Sequence, residues 1–233
     1  MAITLVDLGG NNSTAGPTVT VGVTVPAGDL VYVTVFEKSA SNITGSVTDP
    51  VNGTYNFYKG VSPNGSAAEG FMTSFYIWNA KALSVQNITY TKGTSGVFTQ
   101  VNVLRASGIG TGNDPLDLNA GGTASGSSAT PSITSGTFAR TGELIINYLG
   151  WSAVGGDFFT QDSTNAAYAS PPPVANNSGS AEANAGGFLV RTSLAPILYA
   201  PVLNNSRPWA IIQAVFAPPG TPGRDDCATL MGI

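Results

Sequence analysis

The clearest alternation of apolar and polar positions runs from Val19 to Phe36. Two β-branched runs are interrupted there by Pro26-Ala27-Gly28-Asp29. Proline presets the φ of a turn, glycine accepts positive φ without strain, and aspartate hydrogen-bonds its own backbone, so this tetrapeptide predicts a turn between two strands. After it, Leu30, Tyr32, Thr34 and Phe36 point one way and Val31, Val33 and Val35 the other. The all-valine face reads as core, and the mixed face as one that meets solvent or a neighbour. A later stretch, Phe138 to Leu149, again places glycine, an acid and leucine (Gly142-Glu143-Leu144) ahead of an apolar strand. The pattern predicts a β-sandwich whose halves each start with such a strand.

Further strands are expected at Ala2 to Leu8, Phe71 to Ala80, Ile88 to Thr91, Val97 to Leu104, Gly186 to Thr192, Ile197 to Leu203 and Trp209 to Phe216. The first of these is closed by Gly9-Gly10-Asn11-Asn12. No apolar period of 3.6 residues persists for three turns, so helices are absent or short. From Ala106 to Ser135 the composition shifts to Gly, Ser, Thr, Ala and Asn, which reads as a long surface connection crossing between sheets. A second long excursion, Ser152 to Ala185, includes the stiff Pro171-Pro172-Pro173. Beyond Phe216 the prolines Pro218, Pro219 and Pro222 forbid strand or helix interior. The fold expected is all-β, a single antiparallel β-sandwich of jelly-roll-like type with long loops. Residues 1–217 form the sandwich and 218–233 an extended C-terminal arm. The arm's apolar tip, Leu230, Met231 and Ile233, is a candidate for docking on a neighbouring subunit, with Pro218, Pro219 and Pro222 as its stiff root.

Composition bears chiefly on the surface. Charged residues make up only 9% of the 233, with a net charge of −4, against about 25% in ordinary soluble domains. The surface must then be Ser, Thr, Asn and Gly, which desolvates cheaply and suits packing against copies or partners. No basic run offers a nucleic-acid footprint. No apolar stretch approaches the ~20 residues that span a bilayer, and the first sixteen residues lack the basic and apolar regions of a secretory signal. Without an export signal, the expected route is assembly inside a cell and release by lysis, or a specialised export path. The lone Cys227 has no internal disulfide partner.

Candidate chemistry is sparse. The chain has no histidine, which removes Ser-His-Asp and Cys-His catalysis and the commonest metal ligand. No nucleophile elbow, P-loop or dinucleotide fingerprint occurs. A glycosidase needs only two carboxylates; Glu37 ends one strand and Glu143 begins another, and turn or surface roles suffice for both. Asn113, Asp114 and Asp117, and separately Asp157 and Asp162, have the residue types that suit calcium, without an EF-hand spacing; turn capping explains them. Of the three tryptophans, Trp78 and Trp209 lie within strand patterns and read as core or interface. Trp151, at the mouth of the 152–185 loop, is the candidate ligand-facing aromatic. No catalytic residue, metal site or cofactor is expected.

The series AGDLVYVTV, VTDPVNGTY, FYIWNAKA, NDPLDLNAGGTASGSSAT, TGELIINYLGW and PWAIIQAVFAP resembles a family of β-sandwich domains recurrent in tailed-bacteriophage structural proteins and bacterial surface proteins. The resemblance spans residues 17 to 217. Asn56 or Phe57 stands where that family often shows tryptophan, and the tail beyond Pro218 lies outside the pattern. It implies a non-enzymatic virion protein, most simply an outer capsid decoration (cement or head-fibre) protein or a tail component. Its partners would be copies of itself and other virion proteins such as the major capsid protein. It would be assembled in the host cytoplasm and exposed on the particle surface. The alternative is a glycan- or receptor-binding tail or surface-adhesin module, with a host surface glycan as partner.

Overall fold

The computed structural model describes residues 2–38, 44–165, 168–169 and 183–219. Its first half contains β1 (Thr4–Ser13), β2 (Thr18–Val25), β3 (Leu30–Glu37), β4 (Ser46–Asp49), β5 (Gly53–Thr54), β6 (Asn56–Val61), β7 (Phe71–Ile77), β8 (Leu83–Thr91) and β9 (Thr99–Ser107). Two 3₁₀ turns, Pro63–Gly65 and Ala67–Glu69, are the only helical elements among the described residues. The second half contains β10 (Gly122–Ser128), β11 (Ile133–Thr134), β12 (Leu144–Trp151), β13 (Phe159–Thr160), β14 (Ala183–Val190), β15 (Leu198–Tyr199), β16 (Val202–Leu203) and β17 (Arg207–Phe216). Every strand pairing is antiparallel. The all-β expectation holds.

The strand orders define the topology. One sheet of the first half runs β1-β9-β3-β7-β6 and the other β2-β8-β4-β5. With β6 set aside as an added edge, the eight remaining strands lie first–eighth–third–sixth in one sheet. In the other they lie second–seventh–fourth–fifth. This is jelly-roll connectivity. The second half repeats it in reduced form. Its main sheet runs β10-β17-β12-β14, again first, last and third strands side by side. The opposing sheet shrinks to the pairs β11–β15 and β13–β16. Ala169 bridges to Phe188 on the outside of β14, as β6 does on the outside of β7. The repeated strands β3 and β12 therefore occupy the same third position, one strand pair later than a leading strand would sit. Aligning them exposes a longer repeat at one constant offset: Pro17 and Pro131, Thr20 and Thr134, Gly22 and Gly136, Gly28 and Gly142, Leu30 and Leu144. Gly28 and Gly142 share a positive φ, 89° and 86°, which a side chain would strain.

The two rolls stack back to back, four layers deep. On β3, Val31, Val33 and Val35 pack with Val19, Val21, Val23 and Ile88 inside the first roll. Leu30, Tyr32 and Phe36, on the other face, meet Leu144, Ile146, Tyr148, Ile212 and Phe216 of the second roll. The mixed face of β3 thus meets a neighbour, and all eight β3 residues are buried. At the seam the Phe36 ring lies 3.4 Å from where a Gly150 Cβ would stand. The outer face of β12 presents Ile145, Leu149 and Trp151 to Phe138, Tyr168, Tyr199 and Leu203. Aromatic bulk fills this third core where strands are short.

Several strands depart from the expected bounds: β8 starts at Leu83 rather than Ile88, β9 and β14 are shifted, and the strand expected at Ile197 to Leu203 divides into β15 and β16. β1 runs on through Gly9 to Ser13, because a bulge between Asp7 and Gly9 lets the strand continue against β9. Inside the glycine- and serine-rich connection lies β10, which pairs with β17 along seven residues. Its small residues have a steric cause: a Cβ on Gly126 would come 2.9 Å from the Trp209 ring. Ser128 Oγ accepts the Trp209 indole N–H at 3.0 Å.

Candidate functional site

Where β12 begins, the connection between the rolls, the turn Ala139 to Glu143 and the end of β17 enclose a pocket of about 320 Å³. The connection is tied to β17 by Asp117 N–H donating to Val215 O at 2.8 Å and Ala217 N–H donating to Pro115 O at 2.8 Å. Its walls include Asp114, Leu116, Asp117, Leu118, Arg140 and Glu143.

Two of these carboxylates are committed to local structure. Asp114 accepts the Tyr76 hydroxyl at 2.6 Å and the Leu116 N–H at 3.0 Å. Asp117 accepts the N–H groups of Asn119, Ala120 and Ala139. Glu143 differs. Its side chain is fully buried and neither oxygen accepts a hydrogen bond of ordinary geometry. Arg140 Nε stops 3.7 Å away. Burial raises its pKa to about 7, helped by the charge of Asp117 and opposed by Arg140 and the nearby Arg140 and Ala139 N–H groups.

The matching carboxylate of the first roll is paired. Asp29 precedes β3 as Glu143 precedes β12, and Arg105 on β9 donates from Nη1 to its Oδ2 at 2.7 Å. Arg105 stands opposite Val31, and the residue opposite Ile145 on β17 is Val215. The second roll lacks that arginine.

The remaining sequence candidates fall as follows. Trp151 is buried, 1% exposed, and stacks on Phe159 at 6.3 Å. The expectation of a ligand-facing ring is corrected, because β12 turns it into the third core. The exposed aromatic of that loop is Phe158, at 60%. Glu37 accepts the Tyr90 hydroxyl and the Thr94 N–H, each at 2.9 Å, and has no place in the pocket. Asp157 takes Arg207 at 2.7 and 3.0 Å, and this guanidinium first, then the Val154 and Asn205 donors, bring its pKa down to about 2. Burial alone would raise Asp162, but donors from Asn165, Ala200 and Thr164 hold it below the usual range. Both cap turns. Among the described residues no group of three or more His, Cys, Asp or Glu side chains is placed to hold a metal ion, and no helix is long and apolar enough to cross a membrane. Of the arm, Pro218 packs beside Gly142 and Pro219 is exposed; Pro222, Leu230, Met231 and Ile233 lie outside the described residues. Sequence reasoning missed that Glu143 lacks the close partner Asp29 has, its nearest cation being Arg140 at 3.7 Å. The signal was present: β9 carries an arginine, whereas Ala210 to Phe216 has no charge at all.

No family model matches the chain, and no curated protein matches it. Among solved structures, the major capsid protein P2 of bacteriophage PM2 aligns with a TM-score of 0.24 and 10% identity, over 92% of this chain and 97% of that one. Pumpkin seed globulin aligns with a TM-score of 0.21 and 6% identity, over 91% and 85%. Scores of this size carry no argument for a shared fold or function.

Proposed function

We propose that the protein is a non-enzymatic structural component of a bacteriophage particle, an outer capsid decoration or head-fibre protein. It acts through contacts with copies of itself and with other particle proteins such as the major capsid protein. The observation that carries this reading is the pair of jelly rolls sharing one buried seam in a chain of which only 9% is charged. Such rolls recur in viral capsid and lectin domains. Because fold alone does not imply function, the surface chemistry matters more. Weakly charged, hydroxyl- and amide-rich faces lose little hydration free energy on contact with another protein.

The test is a quantitative protein inventory of purified particles from the producing host, with antibody labelling to place the chain. Many copies on the head support decoration, a handful at the tail indicate a tail component, and absence from particles refutes the reading. Removal of residues 218–233 is expected to abolish incorporation while leaving the far-UV spectrum of the rolls unchanged. The second reading, a glycan-binding module, is favoured by one observation, the exposed Phe158 beside half-exposed Val154. Loss of glycan-array signal in Phe158→Ala would support it, and an array without hits would end it.

A further inference from the structure

The two rolls treat one repeated carboxylate in opposite ways. In the first, Asp29 meets Arg105 at 2.7 Å. In the second, Glu143 sits buried with neither oxygen hydrogen-bonded and its nearest cation, Arg140 Nε, held off at 3.7 Å, and an uncharged Val215 occupies the place of the first roll's arginine. A buried carboxylate without hydrogen bonds is costly, so such groups are normally paired or hydrogen-bonded. Glu143 lines the pocket together with Asp114, Asp117 and a single arginine, Arg140. The lone pairs of Asp114 and Asp117 serve turns and Tyr76, so these two add negative charge, while the Glu143 oxygens are buried without a hydrogen-bond partner.

We propose that the Glu143 pocket binds a guanidinium group, supplying the pairing that β17 does not. Guanidinium fits better than ammonium for two reasons. Its planar fork addresses both oxygens of one carboxylate. It is also more weakly hydrated, so entry beside Pro115, Leu116 and Leu118 costs less. Two sources present this chemistry. One is Arg224, a few residues beyond Pro219 in a chain that leaves β17 past pocket-lining Ala217; each extended residue spans ~3.3 Å. The other is an arginine of a different protein chain. The inference does not depend on a role in a phage particle.

The experiment titrates the full chain at pH 8 with N-acetyl-arginine amide, following amide chemical shifts. Four proteins are compared: wild type, Glu143→Gln, Arg224→Ala and the double variant. In the wild-type or the Arg224→Ala background, the protein with Glu143 is expected to bind at least tenfold more tightly than its Gln counterpart. Equal binding by wild type and Arg224→Ala identifies an external arginine as the natural occupant; binding only after Arg224→Ala identifies the chain's own. N-acetyl-citrulline amide, uncharged and nearly isosteric, needs no variant and guards against misfolding of Glu143→Gln. The proposal is overturned if the citrulline probe binds as well as the arginine probe, or if binding in both backgrounds is absent or independent of Glu143.

Discussion

The first roll and the second solve the same topology with different materials. In the first, long strands bring valines together: four from β2, three from β3 and two from β9. In the second, the outer sheet is reduced to two-residue strands, and Trp151, Tyr168, Tyr199, Trp209 and Phe138 occupy the space. Cross-strand valines spread the burial over many small contributions, whereas the aromatic core concentrates it in a few large side chains. Loss of one side chain should therefore cost the second roll more.

That contrast can be broken most severely at Trp151. Trp151→Ala is expected to destabilise the protein by about 3–5 kcal/mol, and Val33→Ala by about 2 kcal/mol, measured by denaturant unfolding. Near-equal costs would erase the distinction between the cores. Next is the paired carboxylate. Arg105→Met strands Asp29 and should cost about 2 kcal/mol, whereas Glu143→Gln should cost nothing at neutral pH. A smaller effect is expected at the seam. Gln100 and Asn102 are wholly buried there, on the face of β9 that carries Leu104, and their amides find no protein partner. Gln100→Met and Asn102→Leu should each raise stability by about 1 kcal/mol; a loss would mean that ordered water satisfies them.

The finest test uses pH. The Glu143 carboxyl titrates near 4.5 when unfolded and at about 7 in the fold. Between those values the folded state holds the extra proton, so stability falls as pH rises through that window. Wild type minus Glu143→Gln should thus decline from pH 4.5 to 7 and stay flat above. A flat difference throughout would place Glu143 in water or in a satisfied pair.

Much of this architecture was legible because each strong signal was local. The turn at Pro26 to Asp29 and the alternation of β3 and β17 rest on backbone chemistry and period alone, and they appear where expected. The echo at Gly142 marked a repeat, but one strand position could not be assigned without the pairing partners. β10 was illegible because its residues answer to Trp209 across space, not to any period of their own. The second roll's outer layer was illegible for a related reason. Two-residue strands carry no alternation, so Trp151 read as the mouth of a loop when it is the centre of a core.

Hydrogen exchange on the full chain tests the shared seam most directly. If the two rolls form one unit through β3 and β12, amides of β3, β9, β12 and β17 exchange last and with a common free energy equal to that of global unfolding. Rapid exchange of β12 and β17 while β3 and β9 remain protected would contradict it, showing two rolls that open independently and a seam that does not join them.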